Sequence, residues 1–375
     1  MQTTLRSIRL VLRIGPTMPQ PASYDVSIAL TRVEVTDDAE EIDGFQLTFT
    51  LGKNKDKAKD YNLLQSNLFD PGSRVQIGVL LNGSPEVLID GIITHHQLTP
   101  SNEPGMFTFT VMGKDTSLKL DLIERNQKYE HQTDSQIVES VLDNPDYAYL
   151  GFDTQVTSTD DVSDQNHVIT RQASSDLKFI QMLAKRNGFV FYVNPDTFSN
   201  SNVYWGPENR LGTSQPALTM YMGSATNVTS LSFSNDALVP TNVQGSYIDP
   251  DNKQINPLQD SPSFQYPLAA TPTQIMRTIL LRSNANQTSS QASIAAQAAL
   301  IDSKKSVTGQ GELDTVRYGH ILRAGELVGV RGVGASYNGD YYVRQVRHTI
   351  ERGNYTQSFT LSREGIGARS TREPV

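Results

Sequence analysis

The chain has 375 residues, enough for two or three domains, with no cysteine and 32 basic against 40 acidic residues, a net charge of −8. Without cysteine there is no disulfide frame, thiolate metal site or cysteine nucleophile, and the acidic balance supplies no global field for nucleic acid or an anionic membrane. The apolar run from Ile8 to Ile14 is strand-sized and broken by Arg9 and Arg13, so it reads as neither a signal core nor a membrane span, which places synthesis in a cytoplasm without a signal peptide.

Residues 1–112 read as a small β domain. Strand-like runs go from Ser27 to Val35, Phe45 to Leu51, Arg74 to Leu81, Val87 to Ile93 and Met106 to Val111. In the second of these, Phe45, Leu47, Phe49 and Leu51 share one face, the period of a half-buried strand. Asp70-Pro71-Gly72 and Asn82-Gly83 supply turns between runs, the latter a hairpin dipeptide. A barrel or split barrel is expected.

Residues 113–235 read as an α+β insert. Asp115-Thr116-Ser117 leads into Leu118, Leu120, Leu122 and Ile123, and Thr133-Asp134-Ser135-Gln136 precedes Ile137, Val138, Val141 and Leu142; both patterns predict capped short helices. The most regular helix starts at Ser174 or Ser175, repeats Leu177, Ile180, Leu183 and Ala184 on one face, and stops at Asn187-Gly188. Paired strands from Phe189 to Val193 and from Asn202 to Trp205 follow.

Residues 236–310 read as a loop-rich connection, with little periodicity from Asp236 to Thr273, and a helix from Ser289 to Lys305. Residues 311–363 supply the remaining strands of a second β-barrel-like domain, and 364–375 form a tail with Arg369, Arg372 and Glu373. The second block echoes the first: Gly72, Val75, Ile77, Ile93 and His95 match Gly325, Val328, Val330, Val346 and His348 at a constant offset of 253. Phe109 to Val111 then resembles Phe359 to Leu361 if the turn before it is shortened by three residues. The fold class is therefore mainly β with α (α+β), two similar β-barrel-like domains joined by a helix-containing insert.

Chemistry is sparse. The glycine-rich segment from Gly329 to Gly334 lacks the Lys-Ser/Thr of a phosphate loop and reads as a β-turn. None of the histidines 95, 96, 131, 167, 320 and 348 has metal-site spacing, and adjacent His95 and His96 would point to opposite faces of a strand. No nucleophile elbow or flanked carboxylate pair occurs; Asp37-Asp38 with Glu40-Glu41, and Asp160-Asp161, read as solvated loops. The lysines from Lys53 to Lys59 are interrupted by Asp56 and have no aromatic platform before Tyr61. No catalytic, cofactor or metal residue is assigned.

The segment from Arg171 to Tyr192, with Gln172, the Ser175-Asp176 cap, Leu177, the Phe179-x-x-x-Leu183-Ala184 helix and Gly188 before an aromatic strand, resembles the baseplate hub family of contractile injection systems. That family comprises contractile-phage tail hubs, late control D proteins and the N-terminal hub part of VgrG. Gly113 to Ser117, Gly325 to Val328, Gly339 to Val343 and Val346 to His348 add to the resemblance. Ser174 stands where relatives carry an acidic residue, and nothing after Arg363 matches the OB-fold and needle of VgrG. The resemblance implies a non-enzymatic structural protein: a homotrimer whose duplicated domains form a ring, joining a sixfold tail tube or tube-initiator protein to a separate threefold spike, beside baseplate wedge proteins. It implies neither nucleic-acid binding nor direct membrane insertion, and incorporation into the baseplate of a phage tail or phage-tail-like particle made in a bacterial cytoplasm. Two rival readings are a baseplate-associated cell-wall hydrolase, which needs a carboxylate or metal-bound water in a cleft, and a carbohydrate-binding β protein, favoured if Trp205, Tyr341 and Tyr342 are exposed rather than packed inside or between the barrels.

Overall fold

The computed structural model describes residues 8–51, 62–101, 107–160, 169–248, 253–257, 265–281 and 289–369. The lysine run, Asp161, His167 and the tail residues Arg372 and Glu373 lie outside the described residues. Among the described residues no helix is long and apolar enough to cross a membrane.

The first half comprises β1 (Ile8–Gly15), β2 (Gln20–Pro21), α1 (Tyr24–Ala29), β3 (Leu30–Asp38), β4 (Gly44–Leu51), α2 (Asn62–Gln65), β5 (Arg74–Leu81), β6 (Ser84–Thr99) and β7 (Phe107–Asp115). In β4 the alternation does what the sequence predicts: Phe45, Leu47, Phe49 and Leu51 are buried and their neighbours half-buried. Phe49 meets Phe69 edge-on with ring centroids 4.9 Å apart, a favourable aromatic geometry. The strand expected from Ser27 begins instead at Leu30, because Ser23 caps α1 by accepting from the Val26 N–H at 3.4 Å. The arginine-broken run is β1, paired along its whole length with β5.

The insert contains β8 (Glu124–Tyr129), α3 (Asp134–Leu142), β9 (Phe152–Val156), β10 (Thr170–Ser175), α4 (Asp176–Asn187), β11 (Val190–Pro195) and β12 (Ser201–Gly206). The helix expected after Asp115 is a 3-10 turn over Thr116–Asp121, with Asp115 accepting from the Ser117 N–H at 2.6 Å. A complete capping box between Thr133 and Gln136 opens α3. Leu177, Phe179, Ile180 and Leu183 of α4 pack in one core with Trp205, whose indole N–H donates to the Ile180 carbonyl at 3.3 Å.

The second half draws on β13 (Gln215–Thr219) and β14 (Val228–Asn235), passes through β15 (Thr241–Ile248), β16 (Ile255–Pro257), β17 (Ala269–Pro272), β18 (Arg277–Leu281) and α5 (Ser289–Ser303), and resumes with β19 (Val307–Asp314), α6 (Thr315–Tyr318), β20 (Leu327–Arg331), β21 (Gly339–Glu351), β22 (Asn354–Arg363) and β23 (Gly365–Ala368). Residues 215–235 thus leave the insert: Leu218 and Val228 share a core with Val328, Val343 and Leu361. The supposed loop from Asp236 also holds strands. β15 pairs in parallel with the distant β18 and exposes much of its length, so no amphipathic period marks it. Gly332 and Gly334 make the glycine-rich turn at positive φ.

The two halves have one topology. Strand order is β3-β4-β7-β6-β5-β1 in the first and β14-β19-β22-β21-β20-β13 in the second, the same sequence of positions; only the first strand differs, antiparallel to its neighbour in one half and parallel in the other. Bulges agree as well. β3 and β14 are bulged at Thr31 and Thr229 against the following strand, and β6 and β21 at Thr94 and Arg344.

These registers relocate part of the expected repeat. Gly72 donates to the Ile93 carbonyl and Ile93 to that of Ser73; Gly325 donates to Val343 and Val343 to Glu326, all at 2.8–2.9 Å. Gly72 and Gly325, with φ of +96° and +81°, therefore occupy one position, and so do Val75 and Val328. On the long strand, however, Ile93 corresponds to Val343 rather than Val346, and His95 to Gln345 rather than His348. The three-residue change falls in the hairpin before β21. An odd shift reverses the face a side chain presents: His95 is exposed, whereas His348 is buried and takes a 2.9 Å hydrogen bond with Tyr355. On the next strand Val111, not Phe109, corresponds to Phe359.

Closed barrels are a further expectation to correct. β1 and β3, at the ends of the first half's order, do not pair with each other; β3 gives its outer edge to β21, and one sheet runs through both halves.

Candidate functional site

The described residues gather no group of three or more carboxylate or imidazole side chains that could hold a metal. Trp205, Tyr341 and Tyr342 are all buried, so none offers a sugar-stacking surface. The structure instead concentrates its polar chemistry at two places: the joint between halves, and the base of α4.

At the joint, residues 345–351 of β21 pair antiparallel with β3, from Gln345 opposite Asp38 to Glu351 opposite Arg32. Side chains reinforce the ladder. Gln345 donates to Asp38 Oδ2 at 2.6 Å, while Asp38 Oδ1 accepts from the Glu40 N–H at 2.9 Å. Asp37 Oδ2 accepts from the Ala324 N–H at 2.9 Å, and Arg323 reaches back to the Val87 carbonyl at 2.7 Å. Asp37, Asp38 and Glu40, read as a solvated loop, are thus structural ties, and Asp37 is buried, whereas Glu41 and Asp160 are exposed as expected.

An ion network closes the joint from one side. Lys305 pairs with Glu40 and Glu208, Arg344 with Glu40, and Arg210 with Glu208 and Glu364. Burial works to raise the pKa of Glu40 and Glu208, but the adjacent cations outweigh it and hold both below the usual carboxylate range. Burial lowers Lys305 less than its two carboxylates raise it. Beneath the ladder, burial pushes Asp115 up to about 6 and raises Asp37; Asp43, buried and facing both Asp37 and Asp115, is raised further.

The family-motif residues run the length of α4, from its N-cap at Ser175 to its C-cap at Gly188. Ser175 is the N-cap by backbone geometry, yet its hydroxyl donates to Asp121 instead of capping the helix, tying α4 to the exit of the first half. Asp176 is buried and accepts from Arg125 Nε at 3.0 Å, from Tyr147 and from Gln172 Nε2 at 2.6 Å. Leu177, Phe179 and Leu183 are core residues. Gly188 ends the helix at φ +67°, and a Cβ there would sit 3.0 Å from Ala298 Cα of α5. Gly188→Ala is accordingly expected to destabilise the chain by about 1–2 kcal/mol, read as a lower urea midpoint; an unchanged midpoint would mean α4 and α5 are not in close contact. The motif acts as a packing joint. Arg125, Tyr147 and the α5 contact escaped sequence reasoning because no local period connects them to Asp176 or Gly188.

This mainly β fold with a helical insert, the fold class the sequence resemblance implies, is shared by tail proteins of known structure. Three solved structures carry it. They are a tail protein from Neisseria meningitidis (13% identity, 96% of this chain and 98% of that chain, TM-score 0.65), the 43 kDa tail protein of prophage MuSo2 from Shewanella oneidensis (14%, 95% and 98%, 0.63), and the E. coli c3393 protein (16%, 92% and 77%, 0.55). The last is described as a component of the type VI secretion system with structural similarity to T4 bacteriophage tail proteins gp27 and gp5. No curated protein matches the sequence. Residues 20–225 match the family model of the Alg8 N-terminal domain, more than half of the chain, and the chain belongs to that family.

Proposed function

We propose that this chain is a structural tail protein, the hub of a baseplate in a phage tail or related injection particle, with no catalytic step of its own. Three copies would form a ring of six similar half-sheets, matching a sixfold tube on one end and a separate threefold spike on the other, with wedge proteins around it. The observation that carries the reading is the repeated strand order with repeated bulges inside one chain, since a duplicated unit lets a threefold assembly present near-sixfold geometry. The similar tail proteins and secretion-system component support the same reading. The buried ties at the joint fix the angle between halves, and a rigid angle is what a ring adaptor needs.

The test is deletion of the gene from a particle-producing cell. Particles are expected to lack initiated tubes, and purified complexes to contain this chain in threes by native mass. Tubes of normal length in its absence would overturn the reading.

A further inference from the structure

We propose that Asn82 is a site of spontaneous covalent modification in the folded chain: the Gly83 backbone nitrogen closes on the Asn82 side chain, ammonia leaves, and aspartate and isoaspartate replace asparagine at the tip of the β5–β6 hairpin. The inference stands apart from the hub reading and does not depend on it.

The chain contains three Asn-Gly dipeptides, Asn82-Gly83, Asn187-Gly188 and Asn338-Gly339. A glycine leaves the attacking nitrogen unshielded, because it carries no Cβ. The chemistry needs two further freedoms: an amide side chain that can turn onto its own backbone, and a following N–H that is not already donating. The structure grants both at one dipeptide and withholds them at the other two.

At the end of α4, Asn187 Nδ2 donates to Asp134 Oδ2 at 2.7 Å and to the Leu183 carbonyl at 2.9 Å. The Gly188 N–H is engaged as well, with the Lys185 carbonyl at 3.2 Å. Asn338 is held from three directions. Its Oδ1 accepts from the Val333 N–H at 3.0 Å, its own N–H donates to the Gly334 carbonyl at 2.9 Å, and its carbonyl accepts from the buried Arg363 at 3.0 Å. Gly339 pairs with Val330 in the ladder, and a Cβ there would lie 3.0 Å from Ala368. Ring closure at either place would first have to break this packing.

Asn82 and Gly83 instead form the two-residue link between the paired Leu81 and Ser84. Both are exposed, with φ of +53° and +90°, the signs of a type I′ turn. Among the described residues neither the Asn82 side chain nor the Gly83 N–H has a hydrogen-bond partner, and nothing lies within 4 Å of a Cβ built on Gly83. An exposed hairpin tip with few contacts opens at the low end of the local free-energy range, which frees Asn82 for the rotation that closure requires.

The step balances with water and hydroxide alone. Hydroxide takes the Gly83 amide proton, the nitrogen bonds to Asn82 Cγ, and the Cγ–Nδ2 bond breaks as the amine takes a proton from water and leaves as ammonia. Water then opens the cyclic imide. Attack at Cγ gives aspartate, attack at the backbone carbonyl gives isoaspartate, and either product carries one new negative charge. Aspartate preserves the turn, since Asp-Gly is itself a type I′ pair. Isoaspartate adds a methylene to the main chain, so the Leu81–Ser84 closure cannot be kept in its present register.

The test incubates the full-length chain at mildly alkaline pH, one portion native and one in urea, and follows each dipeptide by peptide mass spectrometry with enzymatic methylation of isoaspartate. In the native chain Asn82 is expected to convert at least about tenfold faster than Asn187 or Asn338, and in urea that advantage should vanish. Asn82→Gln, whose side chain is one methylene too long for the ring, should remove the acidic form that accumulates on native isoelectric focusing. Conversion of Asn187 or Asn338 as fast as Asn82 in the native chain, an intact Asn82 while urea exposes all three, or an acidic form that persists in Asn82→Gln would each overturn the assignment.

Discussion

Replacing Asp176 by alanine is expected to destabilise the insert by about 3–5 kcal/mol, because it strands buried donors rather than merely deleting a contact. The carboxylate is 1% exposed and accepts from Arg125, Tyr147 and Gln172. Through Gln172 it also orients Tyr129, whose hydroxyl donates to Gln172 Oε1 at 2.8 Å. Its place in the first turn of α4 adds a favourable interaction with the helix dipole. Asp176→Asn keeps an acceptor oxygen and should cost less. Arg125→Ala should also cost less, since that side chain is 21% exposed and water can replace part of what it loses. Denaturant unfolding gives the free energies, and hydrogen exchange across residues 124–206 should localise the loss. Equal, small effects for alanine and asparagine would show that the three donors find other partners, and that Asp176 is not the centre of the motif.

The sequence made the short-range logic legible. β4 and α4 announce themselves because each buries one face at its own period, and Thr133 with Gln136 spells out a capping box before α3. Elements held by distant partners were less legible. β1 keeps Arg9 exposed and Arg13 half-buried, so its pattern resembles a polar-broken run until β5 is placed beside it. β15 depends on β18 and shows little apolar alternation of its own. The duplication was visible as matching glycines and valines, but its correct alignment required the bulges at Thr94 and Arg344, which depend on pairing geometry and have no residue signature. A single offset carried past the hairpin turned an exposed histidine and a buried one into apparent equivalents. The same holds for the joint: Asp37 looks like a solvated loop acid in the text of the chain, but it is buried and accepts from the N–H of the distant Ala324.

That burial predicts a pH dependence with a definite sign. Burial, then mutual repulsion with Asp37 and Asp115, raises Asp43, while burial carries Asp115 to about 6 and raises Asp37 against the opposing pull of Arg323. A carboxyl whose folded pKa lies above its unfolded value binds protons more tightly when folded, so its stabilising contribution is complete below about pH 4 and is lost as pH rises through the folded pKa. For Asp115 that window runs from about pH 4 to about 6, and its shift corresponds to roughly 3 kcal/mol. Glu40 and Glu208 act oppositely, because their depressed values contribute above the unfolded pKa and fade as pH falls. The whole-chain profile therefore mixes both trends, and a variant is needed to separate them. Asp43→Asn retains an oxygen for the Asp38 N–H, which Asp43 Oδ1 now accepts at 2.7 Å, and removes the central charge of the cluster. Its denaturation midpoint should gain on that of the parent as pH rises from 5 to 8, by on the order of 1–3 kcal/mol, with little difference at pH 4. Parallel profiles would show that the three carboxyls titrate as they do in the unfolded chain, and that the joint is held without a protonated core.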